Sequence, residues 1–272
     1  MENSKLATEV RELFSIRPAG LLSDIDGTLA RISLDPAAAE VDPVIKASLL
    51  QLVRHVDVLG VVTGRSAEEA ARLVDIDGVI WLGNHGMERF ENNEILTAPQ
   101  ALPFEAPLKR VLDEARSRLD DPLIYFENKG VTGSIHYRNT TEPSVAQRQI
   151  VEVVTPLVER EGLRLSQGRM VVELRPPVPL NKGTALRSVV DQFGLKSILF
   201  MGDDVTDLDA MRVVTSLREE GKIAGLSIGV VGPETPAEVK EESDRIVSGI
   251  EGISDLLAEL VELYTHMPGQ RT

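Results

Sequence analysis

The sequence has no cysteine, which excludes disulfides, thiolate metal sites and a thiol nucleophile together. Aromatic residues are scarce, at 4% with a single tryptophan, leaving little material for the stacking platforms that bind single-stranded nucleic acid. Positive charge is in deficit: 29 Lys and Arg stand against 43 Asp and Glu, a formal net charge of -14. Such a chain repels polyphosphate backbones and anionic membrane surfaces at long range, so neither nucleic acid nor membrane is expected as a partner. No long apolar run of membrane-spanning length occurs, and Met1 to Arg17 mixes charged residues with short apolar stretches instead of a signal-peptide core. The expectation is a soluble cytoplasmic protein.

What is present is enough for more than one core, since 272 residues with 42% hydrophobic content exceed the usual single-domain size. Short apolar runs at Gly20 to Ser23, Val58 to Val62, Val79 to Leu82, Ser197 to Met201 and Leu226 to Val231 alternate with helical patterns. Runs apolar on both faces and separated by helices predict a parallel sheet covered on both sides, with ligands collecting beyond the carboxyl ends of its strands. Four of these runs lead into Asp24, Thr63 with Gly64, Gly83 with Asn84 and His85, and Gly202 with Asp203.

The middle of the chain has another rhythm. Helical patterns over Phe104 to Leu119 and Val145 to Glu161 are each followed by a pair of strand-like runs, which describes an α+β unit with helices on one face of an antiparallel sheet. It ends at the stiff Arg175-Pro176-Pro177-Val178-Pro179 joint. The fold class expected is α/β, a Rossmann-like parallel-sheet core made of residues 1–100 and 179–272 with an α+β cap inserted at 101–178.

Leu22-Ser23-Asp24-Ile25-Asp26-Gly27-Thr28-Leu29 places two carboxylates two residues apart at a strand end, where extended backbone points both to one side. Neighbouring carboxylates resist simultaneous ionisation unless a cation or a division of labour relieves them. Asp24 reads as a nucleophile on phosphorus, and Asp26 as the acid that protonates a leaving oxygen and then the base that activates water. Asp-x-Asp-Gly is also ordinary turn chemistry. Val61-Val62-Thr63-Gly64-Arg65-Ser66 offers a hydroxyl and a close backbone approach before a helix whose N-terminus favours an anion. Lys182, before another helix, can neutralise an attacking carboxylate and phosphoryl oxygens together. Gly202-Asp203-Asp204-Val205-Thr206-Asp207 follows a buried strand with three acids, costly without a cation. Helix capping by Thr206 or Asp207 explains only one of those acids. Hard oxygen ligands without His or Cys point to Mg²⁺.

These four elements, in this order, resemble the haloacid dehalogenase superfamily of phosphatases. More narrowly, the chain resembles the trehalose-6-phosphate phosphatase family through Gly83-Asn84-His85-Gly86-Met87-Glu88, Glu127-Asn128-Lys129, Ser134-Ile135-His136-Tyr137-Arg138, Val172-Glu173-Leu174-Arg175-Pro176 and Gly202-Asp203-Asp204-Val205-Thr206-Asp207. The resemblance implies a Mg²⁺-dependent phosphatase acting through an aspartyl phosphate, with a small sugar phosphate as substrate. Under it, Asp24 and Asp203 bind Mg²⁺ through carboxylates and Asp26 through its backbone carbonyl, with Asp207 in support. Thr63, Gly64 and Lys182 hold the phosphate. His85 and Glu88 on the core, with Lys129, His136, Arg138, Glu173 and Arg175 on the cap, are candidates for the sugar hydroxyls. His136 to Arg138 also reads as a half-exposed strand face, and Glu173 with Arg175 as a cross-strand pair. Leu208 and Met211 replace the Glu and Phe usual in the family. Phosphates of glucosylglycerate, mannosylglycerate, glucosylglycerol or sucrose are alternative substrates, and a non-catalytic phosphosugar sensor is the alternative of another class. The residues carry no signal for or against a synthase partner.

Overall fold

The computed structural model describes residues 2–33, 38–91 and 93–266, the side chains of Glu2 and Asn3 excepted. Contacts divide the chain into one unit of Met1–Ile95 with Leu180–Thr272 and a second of Leu96–Pro179.

The first unit opens with α1 (Glu2–Leu13), β1 (Ala19–Ser23), α2 (Pro43–Leu52), β2 (Val58–Val62), α3 (Ala67–Val74), β3 (Val79–Gly83) and β4 (Glu88–Glu91), and β5 (Glu94–Thr97) straddles its boundary after Ile95. The second unit contains α4 (Glu105–Arg118), β6 (Tyr125–Asn128), β7 (Gly133–His136), α5 (Pro143–Glu161), β8 (Arg164–Gly168) and β9 (Val171–Arg175). The chain then returns to the first unit as α6 (Lys182–Phe193), β10 (Ser197–Gly202), α7 (Leu208–Glu219), β11 (Ala224–Val231), α8 (Ala237–Glu242), β12 (Arg245–Ser248) and α9 (Gly249–Thr265).

The large sheet has the order β12-β11-β10-β1-β2-β3-β4-β5. From β12 to β3 neighbouring strands are parallel, and β4 pairs with β3 antiparallel. The α/β class and the parallel core expected from the apolar runs are therefore observed. Alternation along each strand sends neighbouring residues to opposite faces. Leu21, Leu59 and Leu199 join a core with α1, α2, α3 and α9, while Leu22, Val58 and Phe200 join one with α6, α7 and α8. The two family departures, Leu208 and Met211, are buried in that second core.

From β1 the chain winds outward through β2 and β3, then resumes on the other side of β1 with β10, β11 and β12. Such a reversal opens a crevice at the carboxyl ends of the central strands. Asp24 N donates to Met201 O at 2.9 Å, extending the ladder past Ser23 and fixing the ends of β1 and β10 side by side.

The second unit has its own core. Its sheet has the order β6-β7-β9-β8 with antiparallel pairs throughout. Ile135, Val172 and Leu174 pack with Leu108, Val111, Ile150 and Val154 of α4 and α5. By alternation the opposite face of this sheet carries Tyr125, Glu127, Ser134, His136, Glu173 and Arg175.

Candidate active site

The site of the first unit is assembled at the carboxyl ends of β1, β2 and β10 and the start of α6. Asp24, Asp203 and Asp207 are buried, and one ligand oxygen from each lies within 4.8 Å of the others. Lys182 Nζ reaches Asp24 Oδ1 at 3.0 Å and Asp207 Oδ1 at 2.7 Å. Residues far apart in the sequence thus meet because the crevice lies where the two halves of the sheet part.

Lys182 is placed by its helix. α6 starts at Lys182 because Asn181 caps it reciprocally with Thr184: Thr184 N donates to Asn181 Oδ1 at 2.8 Å and Asn181 N to Thr184 Oγ1 at 2.9 Å. A lysine at the first helical position lies at the end disfavoured for cations, and the two carboxylates offset that.

Asp207 stands at the N-cap position of α7, yet its side chain does not cap the helix. Oδ1 accepts from Lys182, and Oδ2 accepts from Asp203 N at 3.1 Å and Asp204 N at 3.0 Å. The capping explanation for this acid is therefore replaced: Asp207 braces both Lys182 and the backbone that carries Asp203. Glycine makes the packing feasible at two points. A Cβ on Gly27, whose φ is +86, would fall 2.1 Å from Asp203 Oδ2. One on Gly202 would fall 2.4 Å from Asp207 Cγ. Thr28 Oγ1 donates to Asp203 Oδ1 at 3.3 Å.

Burial, followed by repulsion from Asp207, Asp203 and Asp26, pushes the Asp24 carboxyl well above the ordinary carboxylate range, although Lys182 pulls the other way. Lys182 is itself raised above the usual lysine value; its burial opposes the charge, and Asp207 and Asp24 outweigh it. The three convergent hard oxygens of buried carboxylates fit a divalent cation of the oxygen-binding kind.

Asp26 takes another direction. Its carboxylate lies in a side-on pair with Arg65, whose Nε donates to Oδ2 at 2.7 Å and Nη2 to Oδ1 at 2.8 Å. Arg65 is also held by Glu69 one turn along α3. Burial opposes the Arg65 charge, yet Asp26 and Glu69 hold the guanidinium above its ordinary value. No role for Arg65 was evident from the sequence. Its signal was a cation beside a helix N-terminus, where a cation is disfavoured, followed by Glu69 at i+4.

Thr63, Gly64 and His85 are brought together. His85 N donates to Thr63 O at 2.8 Å, and a Cβ on Gly64 would stand 3.0 Å from His85 Cε1, so the imidazole lies against the Gly64 backbone. The bend carrying His85 has left-handed backbone at three successive residues, with φ of 48 at Asn84, 57 at His85 and 93 at Gly86. Glu88 is buried, and its Oε2 accepts from Ala67 N, the first N–H of α3, at 3.2 Å. That bond gives Glu88 a structural task beside its candidacy as a sugar contact.

The remaining candidates lie on the second unit. Glu127 Oε2 is 3.0 Å from His136 Nε2 and 3.6 Å from Lys129 Nζ. Ser134 stands in register between Glu127 and Glu173, so Glu127, His136 and Glu173 share one polar face. Arg138 turns to the β8–β9 connection, where Nη2 donates to Arg169 O at 3.4 Å. Arg175 ends β9 opposite Arg164. Glu127, the centre of the polar cluster, received no role from the sequence. The β6–β7 register, with Tyr125 opposite His136, is what puts it on the face of His136.

The family model described as trehalose-phosphatase matches residues 22–238. A trehalose-phosphate phosphatase of Mycobacterium marinum is 32% identical over 254 residues, 85% of this chain and 62% of that protein. The chain thus spans less than two thirds of the length of this relative. Among solved structures, the C-terminal domain of a C. albicans trehalose-6-phosphate phosphatase superposes with a TM-score of 0.78 at 19% identity, covering 94% of this chain and 96% of that one. A haloacid dehalogenase-like hydrolase from Bacteroides thetaiotaomicron gives 0.62 at 15% identity, covering 89% and 98%. Among the described residues, no helix is long and apolar enough to cross a membrane.

Proposed function

The chain belongs to the trehalose-phosphatase family, and from that premise we propose that it hydrolyses trehalose 6-phosphate to trehalose and inorganic phosphate with Mg²⁺ bound. The observation that carries the reading is the buried junction of Asp24, Lys182, Asp207 and Asp203.

Asp24 is the nucleophile. One of its carboxylate oxygens attacks phosphorus, and the bond from phosphorus to the sugar oxygen breaks as Asp26 gives that oxygen its proton. In the second transfer Asp26 takes a proton from water, the water oxygen attacks phosphorus, and the bond to Asp24 breaks to release phosphate. Lys182 lies against the attacking carboxylate and offsets the repulsion between it and a phosphate dianion. Asp24 and Asp203 would hold the cation, with Asp207 bracing Asp203 and Lys182. The ion supplies charge neutralisation of the phosphoryl oxygens. Thr63 and Gly64, at the start of α3, would receive those oxygens through hydroxyl and backbone N–H groups.

Residues 101–178 are read as the cap that recognises the sugar. The polar sheet face with Glu127, His136 and Glu173 supports this, because acceptors and donors in a row suit hydroxyl groups.

The test is phosphate release, with and without EDTA, from trehalose 6-phosphate and from the phosphates of sucrose, glucosylglycerate, mannosylglycerate and glucosylglycerol. The reading requires Mg²⁺ dependence and the highest kcat/KM on trehalose 6-phosphate. Turnover no better than on a simple aryl phosphate refutes the substrate assignment.

A further inference from the structure

Asp26 sits where the chain turns sharply at Gly27, and its side chain is 36% exposed. A short carboxylate so placed has room to rotate, yet a proton donor must face one oxygen of the substrate. Among the described residues, Arg65 holds it. Arg65 engages both carboxylate oxygens at 2.7 and 2.8 Å, which fixes the plane of the carboxylate as well as its position. The Arg65 side chain is 9% exposed, and its backbone is pinned on both sides: its N–H donates to Thr63 Oγ1 at 3.3 Å and its carbonyl accepts from Asn84 N at 2.7 Å. Glu69, anchored on α3, engages the remaining Nη1. The chain of contacts therefore runs from α3 through Glu69 and Arg65 to Asp26, and it originates in the same loop that supplies Thr63 and Gly64.

We propose that Arg65, steadied by Glu69, is a positioning residue that aims the Asp26 carboxylate for both of its proton transfers. The inference rests on the function proposed above. Two other tasks for Arg65 make different demands. A purely structural tie between the β1 turn and α3 affects all substrates alike. Direct binding of the phosphate affects phosphate affinity first. Aiming an acid matters only where the leaving oxygen needs a proton. Lysine cannot replace the fork, because a point charge leaves the carboxylate plane free.

The experiment compares wild type, Arg65→Lys, Arg65→Gln and Glu69→Gln, each with Mg²⁺, on trehalose 6-phosphate and p-nitrophenyl phosphate. Single-turnover release of trehalose and of nitrophenolate is followed, together with inhibition by inorganic phosphate. Nitrophenolate leaves without a proton, so its first turnover should fall far less than that of trehalose. For trehalose release the Arg65 variants should lose about 10- to 100-fold, part of the factor general acid catalysis supplies, with Glu69→Gln losing less in the same direction. In an Asp26→Asn background, Arg65→Gln should cost no further rate. Equal losses on the two substrates, a changed phosphate inhibition constant as the main effect, or full activity of Arg65→Lys would each overturn the proposal. Absence of phosphate release by wild type from every substrate would instead overturn the underlying function. Should Arg65→Gln not fold, Arg65→Lys and Glu69→Gln carry the same comparison.

Discussion

Lys182 and Asp24 form an enclosed ion pair, with Nζ 3.0 Å from Oδ1 and only 2% and 7% of the two side chains exposed. Asp207 completes the arrangement from the other side of the ammonium. Breaking such a group by removing one partner leaves the others charged in a medium that cannot solvate them. Lys182→Ala is therefore expected to abolish phosphate release and to lower stability by about 3–5 kcal/mol, the usual cost of orphaning a buried charge. Urea unfolding in EDTA reads the second effect, and Mg²⁺ should restore part of it.

The raised Asp24 carboxyl has a consequence for stability with a definite sign. Folded protein keeps a proton that the unfolded chain has already released, so from the ordinary value near 3.8 up to the raised folded value the folded state binds more protons. Stability then falls as pH rises through that window. In EDTA, Asp24→Asn should be more stable than wild type at neutral pH, with the difference shrinking toward acid. Denaturant titrations at several pH values measure it, and a difference that grows toward acid contradicts the assignment.

Gly27→Ala tests the closeness of the β1 turn to Asp203. The added carbon would lie 2.1 Å from a carboxylate oxygen at a φ of +86, so both strain and displacement follow. A loss of about 1–3 kcal/mol from backbone strain alone is expected, together with weaker Mg²⁺ binding by calorimetry. An unchanged metal affinity would separate Asp203 from the cation.

On the second unit, Glu127→Gln removes the charge that holds His136 and Lys129. If this face reads the sugar, KM for trehalose 6-phosphate should rise about 10- to 100-fold, the value of a charged hydrogen bond or two, while hydrolysis of p-nitrophenyl phosphate is retained. Equal loss on both substrates would remove the face from sugar recognition.

The central strands were legible because each is a short run apolar on both faces. β4, β5 and β12 were not singled out. Glu88–Glu91 and Glu94–Thr97 carry charge and few apolar residues, and they join the sheet by backbone pairing at its rim, which leaves no hydrophobic pattern. The grouping of Asp24 and Asp203 was suggested by strand ends, since parallel strands deliver their carboxyl ends to one crevice, and Lys182 by its place before a helix. What side chains do after arriving there was less legible. Asp207 sits at an N-cap position, the usual signal for capping, yet it turns back to Asp203 and Lys182. Arg65 and Glu127 escaped because their partners, Asp26 and His136, are set by a tertiary approach and by strand register, neither of which appears in local sequence.

The account stands on Asp24 as the atom donor to phosphorus. The most direct measurement is mass spectrometry of the Asp26→Asn variant, acid-quenched soon after mixing with p-nitrophenyl phosphate and Mg²⁺. The first transfer needs no proton with this leaving group, and the second lacks its base, so a phosphoryl group should accumulate on the peptide containing Asp24 and be absent from Asp24→Asn. A phosphoryl group on any other residue, or nitrophenolate release with no trapped adduct at any quench time, would contradict it.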